Sequence, residues 1–396
     1  MQVPLLDLQA QFRQLQPQLE AALIRVAQSQ AYILGPEVSA FERQAAEYLG
    51  VDHAIGVSSG TDALLLALMA LDVGVGDEVI VPDFSFFATA GCVARTGATP
   101  VFVDVDSRGF MMQPEAVECA ITSRTAAIIP VHLFGQAAGL EKIMAIAAQH
   151  DIPVIEDAAQ AIGTRACGGT RVGGIGTMGC FSFYPTKNLG AMGDAGMVTT
   201  NHGHLADKLR QLRNHGMEPR YYHKYVGGNF RLDALQAAVL SIKIEHLQSW
   251  HEARQRNAEL YNTLFIKEGL ATAAGVTSFD ESNTILLPAT LQPENGADAH
   301  IYNQYTIRTR HRDALRAYLT EHQIGTEIYY PLPLHSQECF RHLTRTDDAF
   351  PVTCNLARTV LSLPVYPELT RQQIEYVVTT ISNFIRSTAP QHKRGV

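Results

Sequence analysis

No stretch of this 396-residue chain is apolar for long. The strongest run, Ala63 to Leu71, falls far short of the roughly 20 residues that a membrane-spanning helix needs. The N-terminus, MQVPLLDLQAQF, lacks the basic start and apolar segment of a secretory signal. Cysteine is sparse: Cys92, Cys119, Cys167, Cys180, Cys339 and Cys354 are scattered, and no two form a C-x-x-C pair. That spacing speaks against a zinc knuckle or a redox dithiol and reads as the reduced thiols of a cytosolic protein. Charge is low too, at 18%, and the 31 Lys and Arg are outnumbered by 39 acids, for a net charge of −8. A broad nucleic-acid surface is therefore not expected. One basic pocket for a phosphorylated ligand stays open, because net charge says little about a single cleft.

What the chain does have is 46% hydrophobic residues over a length sufficient for two domains. Residues 7–28 and Val38–Leu49 carry apolar residues at helical spacing, and Gly50 stops the second of these. Short apolar segments then alternate with helical ones. His53–Ser58, Glu78–Val81, Pro100–Val105, Ala126–Val131 and Val154–Glu156 read as strands. Thr61–Leu71, Phe86–Thr96, Pro114–Ile121 and Leu140–His150 read as helices. Such alternation implies a largely parallel sheet covered on both faces. Residues 163–179 are dense in glycine and read as loop; Cys180–Tyr184 and Gly196–Thr200 then read as a pair of strands. One long helical stretch is expected from Leu232 to about Phe265. An α+β portion follows, with strands at Tyr305–Arg310 and Gly325–Tyr330 and helices at Arg312–His322 and Arg371–Arg386. The expected division is 1–249 and 250–396, with residues 391–396 frayed.

Three segments carry chemistry. In GVSSGTDALLLAL at 56–68 a strand runs through Ser58, Ser59, Gly60 and Thr61 into a helix. Free N–H groups and hydroxyls there make either an anion site or a plain helix cap. In VIEDAAQAIG at 154–163, Asp157 stands at the carboxyl end of a strand, the edge where such sheets bind ligands; it reads as a partner for a protonated ring nitrogen or as another cap. In CFSFYPTKNLGAMGDAGMVTTN at 180–201, Pro185 breaks the strand and Lys187 sits in a turn before glycines. Desolvation of such a lysine leaves a usable amine nucleophile. A phosphate cradle, an acid at a strand end and a lysine after a later strand are what a pyridoxal cofactor requires.

With these segments the chain resembles the DegT-type sugar-nucleotide aminotransferases of the fold-type I, aspartate-aminotransferase superfamily. AYILGPEVSAFE at 31–42, PDFSFFATA at 82–90, PVHLFGQ at 130–136, GGNFRLDALQAAVL at 227–240 and YYPLPLH at 329–335 extend the resemblance over nearly the whole chain. The run around Lys187 is its most diagnostic part. The resemblance implies an α/β fold: a large domain with a mostly parallel seven-stranded sheet between helices, and a smaller C-terminal α+β domain. It implies pyridoxal 5′-phosphate bound as a Schiff base to Lys187, with pyridoxamine phosphate as the alternate form. Asp157 would pair with the pyridine nitrogen, and Gln160 would sit near the ring hydroxyl or ring face. Phe86 would stack on the ring, and Gly60, Thr61 and Ser182 would hold the phosphate. Asn229 would reach the phosphate of a neighbouring subunit in a homodimer with shared sites. Arg231 would face the sugar or its diphosphate, and Tyr221, Tyr222 and His223 would approach the substrate. The substrates implied are L-glutamate and a nucleotide-diphosphate keto sugar. RYYHKYVGGNFRLD favours amination at position 3 over position 4 or a keto-inositol. Lysine at 187 argues against the dehydratase branch, in which histidine takes its place. A non-catalytic, cofactor-sensing regulator is the alternative of another class; no segment large enough for a helix-turn-helix precedes residue 31.

Other signals are discounted. Gly174, Gly176 and Gly179 spell G-x-G-x-x-G, but loop precedes them and a strand follows, the reverse of a dinucleotide site. His202 and His204 fall in a polar turn, and no histidine pattern suggests a metal. His132 reads as a packed core histidine, and Leu247 and Trp250 as interdomain or dimer packing.

Overall fold

The computed structural model describes residues 1–137, 139–280, 284–343 and 346–388. Residues 391–396, expected to fray, lie outside these. Helices α1 (Leu8–Ser29) and α2 (Pro36–Leu49) open the chain. Pro36 starts α2 where its missing N–H costs nothing, and Gly50 closes it in the left-handed region at φ 73°. The alternating portion follows: β1 (His53–Val57), α3 (Gly60–Ala70), β2 (Glu78–Pro82), α4 (Ala88–Thr96), β3 (Thr99–Val103), α5 (Pro114–Ala120), β4 (Thr125–Ile128), α6 (Leu140–Gln149) and β5 (Ile155–Asp157). Then come β6 (Met178–Ser182), β7 (Gly196–Thr200), α7 (Gly203–Arg213), α8 (Ala234–Ile244) and α9 (Leu247–Lys267).

The strands form two ladders, β1-β7-β6-β5 and β4-β2-β3. Parallel bridges Ile128–Val154 and Val131–Asp157 join them into one seven-stranded sheet. Its pairs are parallel except around β7, which runs antiparallel to both β1 and β6. Neighbouring residues of β6 face opposite sides, so each face has its own core. Cys180 packs with Ile55, Val81 and Leu64, Leu66 and Leu68 of α3. Phe181 packs with Phe41 of α2 and Val239 and Leu240 of α8. The helix α3 is apolar nearly all round and buried to match.

The C-terminal portion contains β8 (Tyr305–Arg308), α10 (Arg312–Glu321), α11 (Pro351–Thr359), β9 (Val360–Leu363) and α12 (Arg371–Thr388). Tyr261 of α9, Leu315 of α10 and Ile381 of α12 share a further core with the antiparallel β8–β9 pair. Three expectations change here. The stretch from 232 to 265 is two helices, α8 and α9, parted at Glu245 and His246. Residues 325–330 form no strand; Ile324 and Glu327 make single bridges to Val3 and Ser362, and the strand partner of β8 is β9, a segment whose four apolar-leaning residues were too few to read. Helix α7 was also not foreseen, its apolar stripe being diluted by His, Lys, Arg and Gln. No helix among the described residues is long and apolar enough to cross a membrane.

Candidate active site

A cavity of 490 Å³ opens at the carboxyl ends of the central strands. Gly60, Thr61, Phe86, Asp157, Gln160, Ser182 and Lys187 all line it. They come from four turns of the chain, after β1, β2, β5 and β6, and parallel strands deliver their carboxyl ends to one edge.

At one end of the cavity lies the start of α3. Ser59 is the cap there: its side chain accepts the Asp62 amide at 3.0 Å. The Gly60 and Thr61 amides donate to no acceptor among the described residues and stand free at the helix N-terminus. Gly60 is required by proximity, since a Cβ would lie 2.6 Å from the Ser182 Cβ. Two free amides and the Thr61 and Ser182 hydroxyls thus form a cradle suited to a phosphate. The cap reading of the SSGT segment holds at Ser59, and the residues after it leave amides that an anion could use.

Asp157 is the last residue of β5 and is buried. Its Oδ2 accepts the Thr89 hydroxyl at 2.8 Å, and Thr89 shares a 2.9 Å hydrogen bond with Ser85. Its Oδ1 accepts the Ala159 amide at 3.2 Å. Burial pushes its carboxyl above the ordinary value, while Thr89, the Ala159 amide and the Lys187 charge pull the other way. Lys187 follows a turn closed by its own N–H to the Tyr184 carbonyl at 2.8 Å. Its ammonium makes no hydrogen bond or ion pair among the described residues, and burial brings it down to about 8, against the pull of Asp157. Burial therefore favours the neutral form of both groups, and a ligand that brings a cation to Asp157 and consumes the free amine relieves both.

Gln160 is held from two sides: its Oε1 accepts the Phe134 amide at 2.8 Å and its Nε2 donates to the Tyr330 hydroxyl at 3.1 Å. Tyr330 packs 6.1 Å from Phe86, so these two rings close one wall. Thr89, Ser85 and Tyr330 were missed as site residues. All three lie inside PDFSFFATA or YYPLPLH, but nothing in the one-dimensional pattern aims them at Asp157 or Gln160.

Five expected site residues do not line the cavity of this chain. Asn229, Arg231, Tyr221, Tyr222 and His223 belong to the segment after α7, which bridges the end of that helix at Asn214–Asn229 and the outer edge of β1 at Val57–Arg231. Arg231 donates to the Asn214 side chain at 2.8 Å, and His223 Nδ1 contacts the His215 carbonyl at 2.9 Å. Tyr221 and Tyr222 are 73% and 71% exposed, and Asn229 is exposed as well.

The discounted glycine motif has a ligand inside the protein. The Gly173, Ile175 and Gly176 amides donate to the Glu156 carboxylate at 2.8, 2.9 and 2.7 Å, and His132 Nε2 meets it at 2.9 Å. Burial alone would raise the Glu156 carboxyl; His132 and the loop amides outweigh it and hold it below the ordinary value. Glu156 thus braces the back of β5 while Asp157, its neighbour, faces the cavity. Elsewhere, His335, Asp347 and Cys354 bring potential metal-ligand atoms within 4.8 Å, with His335 Nδ1 already bonded to Asp83 at 2.6 Å.

Comparison with known proteins agrees with this geometry. Residues 13–382 match the DegT/DnrJ/EryC1/StrS aminotransferase family. The chain is 47% identical to a pleiotropic regulatory protein of Geobacillus stearothermophilus, over 98% of this chain and 100% of that one. It is 44% identical to the UDP-N-acetyl-3-dehydro-α-D-glucosamine 3-aminotransferase of Acidithiobacillus ferrooxidans, over 96% and 97% of the two chains. Among solved structures, S. venezuelae DesV in complex with a ketimine intermediate superposes with a TM-score of 0.89, at 40% identity over 97% and 98% of the two chains. This chain belongs to the DegT/DnrJ/EryC1/StrS aminotransferase family.

Proposed function

We propose that this protein uses pyridoxal 5′-phosphate to transfer the amino group of L-glutamate to position 3 of a nucleotide-linked keto hexose, releasing 2-oxoglutarate. The observation that carries the reading is the convergence, around one cavity, of the unpartnered Lys187 amine, the buried Asp157 and the free Gly60 and Thr61 amides. These groups fit the cofactor's aldehyde, ring nitrogen and phosphate in turn. When bound, the cofactor supplies a carbonyl carbon that takes the amine and a ring that accepts an electron pair.

The protein's own residues do the rest. Gly60, Thr61 and Ser182 bind the phosphate. Asp157 holds the proton on the ring nitrogen, and Thr89 holds Asp157. Lys187 would take the proton from the α-carbon of glutamate; burial holds its amine at about 8, so that it can give the proton up again near neutral pH. Phe86 and Tyr330 narrow the cavity and exclude water from one side.

Amination at position 3 is supported by the 3-aminotransferase relative. A homodimer is supported by the exposed Tyr221, Tyr222 and Asn229: in this reading they, with His223 and Arg231, serve the partner's cavity and its sugar nucleotide. The division at 249/250 is supported by the core that gathers residues from α9, α10 and α12, although Val3, Phe84, Val105, Phe110, Val131, Leu133 and Phe134 also join it.

The test is absorbance followed by product analysis. Purified protein with cofactor is expected to be yellow, to bleach on addition of glutamate, and to convert a nucleotide-linked 3-keto hexose to the amine. Lys187→Ala loses both properties. The similarity to a regulatory protein favours one second reading, a cofactor-binding regulator; yellow protein that ignores every amino donor would select it.

A further inference from the structure

The segment between β6 and β7 that carries Lys187 has no regular structure, so its carbonyls need partners from elsewhere. It makes a few bonds within itself, Lys187 N to the Tyr184 carbonyl and Ala191 N to the Phe183 carbonyl, both at 2.8 Å. It also folds back tightly: a Cβ on Gly190 would lie 2.3 Å from the Pro185 carbonyl oxygen. This turns the Gly190 carbonyl toward α8. A helix interior has no spare backbone donor to offer, so only a side chain can meet it.

Lys243 of α8 does so, donating from Nζ to the Gly190 carbonyl at 2.7 Å. Lys243 is 5% exposed, and this is its one hydrogen bond among the described residues. A lysine buried for a single carbonyl is costly, and burial pulls its ammonium down to about 8. Two turns earlier on the same helix, Gln236 makes a paired contact. Its Oε1 accepts the Met192 amide at 2.8 Å, and its Nε2 donates to the Met192 carbonyl at 3.2 Å. From the opposite side, Asn188 donates to the Ile301 carbonyl at 3.1 Å and accepts from Asn303 at 3.0 Å. Positions 188, 190 and 192 are therefore all pinned, immediately after Lys187.

We propose that Gln236 and Lys243 make α8 a clamp that fixes the Lys187 loop, so that both are positioning residues for the amine rather than packing residues of the core. The inference rests on the aminotransferase reading above. It accounts for polar side chains on a helix face that is otherwise apolar, and it ties GGNFRLDALQAAVL to the site through Gln236.

Apoprotein is mixed with pyridoxal 5′-phosphate, reduced with borohydride at timed intervals, and the labelled peptide mapped. Gln236→Met keeps the length of the side chain, Lys243→Met shortens it by one atom, and each removes its hydrogen bonds. Both variants are expected to label position 187 and to turn over about tenfold more slowly or worse, since misplacement of order 1 Å carries such a penalty. The KM for glutamate stays within about threefold, because the cavity walls are untouched. Variants that lose thermal stability alone, while labelling and turning over as the parent does, overturn the clamp. If Lys243→Met does not fold, Gln236→Met, at a half-buried position, carries the same test. Failure of the parent protein to label at 187 sinks the functional reading instead, which keeps the two failures apart.

Discussion

Asp157 shows how one side chain is set by its neighbours. Burial raises its carboxyl, and the Thr89 hydroxyl at 2.8 Å is among the few contacts that favour the anion. In the proposed function, a protonated ring nitrogen would supply the charged partner that completes it. Thr89→Val removes the donor at almost constant volume. The Asp157 carboxyl, already raised, then rises further, and the anion is lost at a higher pH as acidity increases. The acid limb of the kcat/KM profile is expected to move up by about one pH unit, while the alkaline limb stays in place. A profile that merely scales down at every pH would remove Thr89 from this role. Lys187 obeys the same physics with opposite sign: burial lowers it to about 8, and Asp157 restrains the fall.

Among elements, the join between α3 and β6 is the tightest constraint on the cradle. Gly60 begins the helix and Ser182 ends the strand, and there is no room for a methyl group between them. Gly60→Ala is expected to force the helix end away from the strand. Overpacking of this kind costs about 1–3 kcal/mol. Thermal melting reads that loss, and cofactor titration should show affinity weakened by roughly tenfold or more, about 1.4 kcal/mol. Adding Ser182→Gly restores part of the stability but not the affinity, because the hydroxyl is gone as well. Recovery of both would mean that the hydroxyl does not serve the cradle. The Glu156 brace is a second junction of this kind. The glycine-rich loop at 173–176 spends its amides on a carboxylate of β5, so a motif that resembles a nucleotide loop in one dimension is a structural support in three.

At the scale of the molecule, the single chain leaves the cavity flanked by exposed aromatic groups, Phe86 at 56% and Tyr184 at 53%, with Tyr221 and Tyr222 exposed on the outer segment. In the proposed homodimer these surfaces meet. Lys187→Ala and Asn229→Ala then damage the same site from different subunits. Mixed by unfolding and refolding together, the two inactive or weakened proteins should recover about a quarter of the parent activity, because half of the dimers contain one intact site. Activity no greater than the sum of the two separate proteins would show that the sites are not shared.

The order of elements through β7 was legible in the amino-acid sequence, and so was the gathering of Gly60, Thr61, Asp157, Ser182 and Lys187 at one sheet edge. Short apolar segments, glycine punctuation and a lysine in a turn are local signals, and the seven strands of the sheet followed from them. Two things depend on contacts between distant segments and stayed hidden. One was β9 as the partner of β8, where four residues give too little pattern to read as a strand. The other was the set of groups that hold the named ones: Thr89 on Asp157, Tyr330 on Gln160, and Gln236 and Lys243 on the Lys187 loop. Local pattern determines which residues can do the chemistry; only the folded chain, by bringing residue 89 to 157, 330 to 160 and 236 to 192 within bonding distance, decides what keeps them in place.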